Sequence, residues 1–197
     1  MNEIYTGVKF STIFESKNIC FDQRVEKLKE WCNIFHKKNL APPYDGGSAG
    51  NLSFRLSPNC SQFIITGTKI GLKEKLDYTH FVKVNNVDFQ NNKVFVEGER
   101  EPSSESMLHF LIYSKRNDVF AIFHGHSNEI LANTEKLQIA VTEQEQPYGS
   151  LALVAEAQNM IEKHDFFVLK NHGFFSLGSS MEVAGNETLK VLDKVNS

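Results

Sequence analysis

The chain has 197 residues, 41% hydrophobic and 23% charged, the balance of a soluble globular protein of one-domain length with enough apolar residues for a core. Its 21 Lys and Arg against 24 Asp and Glu leave a formal net charge of −3, which argues against nucleic acid or an anionic membrane as partner. No apolar stretch approaches the roughly 20 residues that a membrane span requires.

Residues 1–20 read as an N-terminal extension in which Glu3, Lys9, Glu15 and Lys17 interrupt the apolar positions, unlike a secretory signal. With three scattered cysteines, Cys20, Cys32 and Cys60, none at metal-site spacing from another, this predicts reduced thiols and a cytoplasmic protein. From 22 to 38, Val25, Leu28, Trp31 and Ile34 or Phe35 recur at spacings of three and four, predicting a helix with Trp31 on its buried face. The Pro and Gly of 41–50 stop that helix in a turn-rich loop. Residues 51–56, 62–66, 81–87 and 93–97, rich in Phe, Ile and Val, read as strands of a largely antiparallel sheet, with Asn85, Asn86, Asn91 and Asn92 as turn residues. Pro102, Ser103, Ser104 and Glu105 precede Met107, Leu108, Leu111 and Ile112, a capped helix start followed by an apolar face. A buried strand at 119–123, a helix at 150–163, a short strand at 166–169 and a terminal helix at 181–195, weakened by Gly185, complete the chain. The expected architecture is a single domain over 1–197, α/β or α+β, with helices flanking a mixed sheet.

Chemistry concentrates at strand ends and helix starts. His124 and His126 close the run 119–123, and a continued strand period of two puts both imidazoles on one face. Such a pair is half of a divalent-metal site or a partly exposed structural pair. The third-ligand candidate is His172, at the end of another apolar strand and followed by Gly173, which lets the chain turn sharply. His36, His80, His109 and His164 stand singly and read as surface or core positions. Glu105 opens a helix, where it either caps the backbone or joins an anion site. The Gly-rich stretch Gly46-Gly47-Ser48-Ala49-Gly50-Asn51 and the segment Thr66-Gly67-Thr68-Lys69 are donor-rich loops that serve as turns or as phosphate cradles.

The ordered series Gly50-Asn51-Leu52-Ser53, Ile65-Thr66-Gly67-Thr68, Pro102-Ser103-Ser104-Glu105, His124-Gly125-His126-Ser127 and Asn171-His172-Gly173 resembles the class II aldolase/adducin family, most of all its L-fuculose-1-phosphate aldolase-like members. The resemblance runs from about Lys27 to the last helix. It implies a three-layer domain with a mainly antiparallel central sheet, a homotetramer with active sites between subunits, and a divalent ion, normally Zn2+ but also Mn2+, Co2+ or Fe2+, on His124, His126 and His172. It further implies Glu105 as catalytic carboxylate and Asn51, Thr68, Ser103 and Ser104 as phosphate ligands. The implied activity is that of an aldehyde-lyase: retro-aldol cleavage of a small phosphorylated ketose to dihydroxyacetone phosphate, or a relative, and an aldehyde, with the ion stabilising an enediolate and Glu105 shuttling its proton.

The chain departs from the pattern in two places. Lys69 stands where the aldolases have glycine, adding a charge or occluding the phosphate, and the C-terminal 194–197 lacks the family's tyrosine, leaving Tyr113 and Tyr148 without an assigned role. Two other readings stay open. The stretch 141–145 resembles the acidic segment of methylthioribulose-1-phosphate dehydratases, which makes Glu145 a rival acid/base, or else Glu143 and Glu145 are solvated loop carboxylates. An adducin-like binding module without catalysis is the second.

Overall fold

A computed structural model describes residues 6–195; the start of the expected N-terminal extension, residues 1–5, and the last two residues of the chain lie outside the described residues. In chain order the elements are β1 (Ser11–Ser16), α1 (Arg24–Lys37), a hairpin of β2 (Pro43–Tyr44) and β3 (Gly47–Ser48), β4 (Asn51–Arg55), β5 (Phe63–Thr66), β6 (Phe81–Asp88), β7 (Lys93–Glu97), α2 (Ser106–Lys115), β8 (Ala121–Gly125), α3 (Asn128–Ala132), α4 (Thr134–Leu137), β9 (Ala140–Val141), α5 (Leu151–Lys163), β10 (Phe166–Leu169), β11 (Gly173–Gly178) and α6 (Met181–Val195). Nine strands form one sheet in the order β1-β7-β6-β5-β4-β8-β11-β10-β9. Its two outermost pairs, β1 with β7 and β9 with β10, are parallel, and the pairs between them are antiparallel.

The central strands are buried on both sides because both sides are covered. Along β5, Phe63 and Ile65 pack with Met107, Ile112, Leu153 and Ile161 of α2 and α5, while Ile64 between them packs with Leu28, Trp31, Val191 and Leu192 of α1 and α6. This period-two partition produces helix, sheet and helix layers from continuous Phe/Ile/Val runs rather than from alternating polar and apolar residues. It also decides where chemistry can sit. Within the layers most positions are filled with hydrocarbon, and the polar groups open to a ligand collect where β4, β8 and the β10–β11 turn leave the sheet beside the N-terminus of α2.

Three local expectations change. Part of the 1–20 extension forms the edge strand β1, which aligns Ser11 with Lys93 and Phe14 with Val96; its spread of charges hid a strand that is only half-buried. Asn85 and Asn86 do not turn the chain but lie inside β6 at a break in its register with β7, where Asn85 Nδ2 donates to Glu97 Oε1 at 2.8 Å and to Glu15 Oε2 at 2.7 Å. Gly185 is buried in α6 because Trp31 lies against it: a Cβ there would fall 2.3 Å from two atoms of the indole ring. Gly185→Ala adds helix propensity worth up to about 1 kcal/mol but overpacks the α1–α6 contact, which costs about 1–3 kcal/mol. The clash prevails because the 5% exposed Trp31 has nowhere to move. We expect a thermal midpoint lowered by several degrees, roughly 2–4 °C per kcal/mol, and an unchanged or raised midpoint would refute the packing argument.

Candidate active site

The strand period places His124 on the same face as Ile122, toward α2, where its ring stacks on Phe175 at 4.5 Å between centroids. His124 Nδ1 donates to the Phe174 carbonyl at 2.8 Å, which fixes the tautomer and leaves Nε2 with its lone pair outward. His126, just past the end of β8, has its Nε2 only 3.1 Å from that of His124. His172 comes from the turn between β10 and β11, its ring centroid 5.2 Å from His124 and 4.8 Å from His126. The left-handed residue of that turn is Asn171, with φ 57°, and not Gly173 as expected. Gly173 is needed for room, since a Cβ would fall 2.6 Å from the Gly125 carbonyl oxygen, 2.8 Å from His124 Cε1 and 3.1 Å from His126 Cδ2.

One ligand atom from each of the three histidines lies within 4.8 Å of the others, and among the described residues no other group of His, Cys, Asp and Glu could hold a metal. The donor set fits a divalent ion. Nitrogen ligands about 2.0–2.1 Å from a tetrahedral zinc lie roughly 3.3 Å apart, close to the 3.1 Å between the Nε2 atoms of His124 and His126. Burial, reinforced by mutual repulsion, holds both imidazoles well below the ordinary histidine range, so they are neutral at pH 7, the form that binds metal.

Glu105 stands at the N-cap position of α2, but its side chain makes no capping bond, which corrects the capping alternative. Its buried carboxylate turns toward the histidines instead: Oε1 is 3.7 Å from His172 Nε2, and Oε2 accepts from Asn51 Nδ2 at 2.7 Å and from Ser103 Oγ at 3.2 Å. A polar ladder holds this arrangement. Asn51, Ser53 and Arg55 share one face of β4 and meet successive turns of α2. Asn51 bonds Glu105, Ser53 Oγ bonds His109 Nδ1 at 2.7 Å and the Tyr113 hydroxyl at 2.8 Å, and Arg55 donates to the carbonyls of Tyr113 and Arg116. Tyr113 therefore belongs to the core, where burial raises its hydroxyl above the usual tyrosine range. The sequence placed Ser53 in a motif and His109 as a surface or core position without linking them, although their shared spacing with Asn51 and Glu105 was the available signal.

A cleft of about 1030 Å3 opens over this floor, and its lining includes Asn51, Thr68, Ser103, Ser104, Glu105, His126, Glu145, Tyr148 and His172. Such a volume suits a small ligand. The antiparallel pairing of Gly67 with Pro102 sets Thr68 opposite Glu101 and Thr66 opposite Ser103, and Thr68, Ser103 and Ser104 all line the cleft. Gly50, with φ 72°, brings Asn51 into the cleft; a Cβ at Gly50 would strike the His124 carbonyl at 2.6 Å. Lys69 is exposed, outside the lining, and takes a φ of 52°, a conformation that glycine adopts most readily. Glu145 is exposed at the rim and accepts from Asn171 Nδ2 at 2.7 Å, whereas Glu143 is exposed outside the lining. Tyr148 is buried, its hydroxyl accepting from the Thr6 amide at 2.7 Å.

The profile of the class II aldolase and adducin N-terminal domain matches residues 26–191. The chain belongs to the class II aldolase and adducin family. An L-fuculose phosphate aldolase of Methanococcus maripaludis is 31% identical over 166 residues, covering 77% of this chain and 84% of that protein. A 3-oxo-tetronate 4-phosphate decarboxylase of Haemophilus influenzae is 27% identical over 170 residues, 74% of each chain. A sugar-phosphate aldolase of Thermotoga maritima superposes with a TM-score of 0.73 at 18% identity, over 88% of this chain and 92% of that one, a likeness of fold. Class II aldolases depend on a divalent metal, and the histidine triad is the group here that could bind one. No helix among the described residues is long and apolar enough to cross a membrane.

In this class II aldolase fold the innermost histidine of the ladder gives a pH prediction. Burial brings His109 down to about 3, against roughly 6.5 in the unfolded chain. Between these values only the unfolded chain binds the proton. The contribution to stability is therefore complete above about pH 6.5 and falls with acidification by up to about 1.4 kcal/mol per pH unit. Chelator-treated protein titrated from pH 7 to 5 is expected to lose stability faster than its His109→Gln variant, and equal slopes would contradict the assignment.

Proposed function

We propose that the protein is a divalent-metal-dependent aldehyde-lyase that cleaves a small phosphorylated ketose into dihydroxyacetone phosphate, or a close relative, and an aldehyde. The observation that carries this reading is the buried Glu105 carboxylate, which Asn51 and Ser103 turn away from capping and toward the three-histidine cluster. A divalent ion on His124, His126 and His172, with zinc as the first candidate, would supply a Lewis acid for the carbonyl and hydroxyl oxygens of the substrate and so take up the negative charge left by carbon–carbon cleavage. Glu105 accepts and returns the proton at the adjacent carbon; Asn51 and Ser103 orient it, and its buried setting excludes competing water. Thr68, Ser103 and Ser104 line the cleft with hydroxyl groups for the phosphate, which the dipole of the α2 N-terminus favours. The 31% identity to an L-fuculose phosphate aldolase supports the substrate class. The family resemblance extends the proposal to a homotetramer with sites between subunits, in the cytoplasm, and a measured solution mass tests the first of these.

The experiment is proton exchange in deuterated water, followed by NMR, with metal-loaded protein and dihydroxyacetone phosphate. Stereospecific loss of one hydroxymethylene proton signal, abolished by chelator, is the expected result. No exchange by a protein carrying its ion would overturn the dihydroxyacetone phosphate assignment. One observation favours a second reading, dehydration with Glu145 as acid/base: this carboxylate reaches the same cleft and is bonded from Asn171, next to His172. Product analysis separates the two, because dehydration leaves the carbon chain intact. Metal content well below one ion per chain after metal-replete expression would favour the adducin-like binding module.

A further inference from the structure

Lys73 is a charged side chain with no place in the chemistry above, and it is 1% exposed. Each of its three ammonium protons has an acceptor: the Ser48 carbonyl at 3.1 Å, Ser48 Oγ at 2.8 Å and the Ala49 carbonyl at 2.9 Å. Ser48 Oγ passes the tie onward by donating to the Gly71 carbonyl at 2.8 Å. Ser48 and Ala49 both line the cleft, and Lys73 does not. Their carbonyls are therefore drawn down into the protein, beneath the loop that leads through Gly50 to Asn51. This matters for an anion, because a backbone loop binds phosphate only when its carbonyl dipoles point away from it. The charge persists where it is needed: burial brings Lys73 down to about 8, with the carboxylate of Glu105 among the groups that hold it up, so the ammonium predominates at neutral pH. Its field reaches the cleft, where it contributes to keeping His126 neutral.

We propose that Lys73 is the positioning residue of an anion-binding loop, a buried ammonium that turns the Ser48 and Ala49 carbonyls inward and so lets the cleft accept the phosphate end of its substrate. The proposal deepens the reading of the cleft as a sugar-phosphate site and rests on it for the identity of the anion. A lysine in a polar segment such as 69–75 gives no sign of this in the sequence, since exposure is the usual state of that side chain.

The test compares full-length, zinc-loaded wild type with Lys73→Met and Lys73→Gln. Calorimetric titration measures inorganic phosphate and dihydroxyacetone phosphate binding, while NMR follows proton exchange of dihydroxyacetone, which has no phosphate. Both variants are expected to weaken the two phosphate-bearing probes by about 10- to 100-fold, the range for lost charge-assisted ties, and to leave zinc content and dihydroxyacetone exchange within about twofold. Unchanged phosphate affinity, or equal losses for phosphorylated and unphosphorylated probes, overturns the proposal, as does a wild type that binds no phosphate. Should neither variant fold, the wild type still decides: with 15N-labelled lysine, the slowly exchanging Lys73 ammonium signal is expected to shift on adding phosphate, and a signal that stays in place overturns it. Phosphate binding that depends on Lys73 in a protein without exchange activity would sink the dihydroxyacetone phosphate assignment and leave the anion-binding loop standing.

Discussion

Glu105→Gln is expected to slow proton exchange and cleavage by ~10²–10⁴-fold, the contribution of a positioned general base, with zinc content and thermal midpoint close to wild type. Glutamine preserves the shape of the side chain, and its carbonyl oxygen still accepts from Asn51 Nδ2, the 2.7 Å bond that holds the group in place. What it loses is the capacity to take a proton. The group sits near the histidine cluster without being one of its three members, so zinc bound there should remain. Metal analysis beside the NMR exchange assay separates a chemical defect from an empty site. Unimpaired exchange would remove Glu105 from the reaction and transfer the acid/base role to Glu145.

Gly173→Ala should abolish activity by a different route, with loss of the ion itself. The added methyl would stand 2.6 Å from the Gly125 backbone oxygen and within 3.1 Å of ring atoms of both His124 and His126. Backbone cannot yield as a flexible side chain does, so either the β10–β11 turn or the end of β8 must shift, and every histidine of the cluster rides on one of the two. A structure-wide cost of about 1–3 kcal/mol for overpacking accompanies it. His126→Ala removes a proposed ligand directly and serves as the comparison: its loss of zinc affinity should exceed the roughly 10- to 100-fold typical of losing a residue that only supports a ligand. Full zinc occupancy in Gly173→Ala would mean that the close approach of the two strands is not what shapes the site.

The layered fold was legible because hydrophobic periodicity survives in a single sequence: the helix around Trp31, the strands of 62–66 and 93–97 and the terminal helix all stand where the pattern put them. The pattern failed where tertiary neighbours decide. Strand β1 is carried by its partner β7 rather than by its own apolar content, and β11 was hidden because a short segment buried on both faces, next to a histidine turn, gives no period to read. Glycines were misread for the same reason. Gly173 and Gly185 look like flexible residues in sequence, whereas both are gaps filled by a neighbouring chain segment. In the site, the His-x-His spacing was visible as geometry, but Glu105 was ambiguous on local evidence because an acidic helix start suits capping equally well. Only the position of Asn51 across the sheet reveals which way the carboxylate faces.

The ladder between β4 and α2 has a consequence for how the protein fails when heated. Asn51, Ser53 and Arg55 each hold a different turn of the helix, so the strand and helix cannot slide past each other without breaking three sets of bonds together. The carboxylate therefore has no low-cost displaced position, and this side of the site is held as firmly as the core beneath it. Heat inactivation of the metal-loaded protein and loss of its secondary structure should then coincide in a single transition, in place of the early decay of activity seen where catalytic groups ride on a separately melting loop.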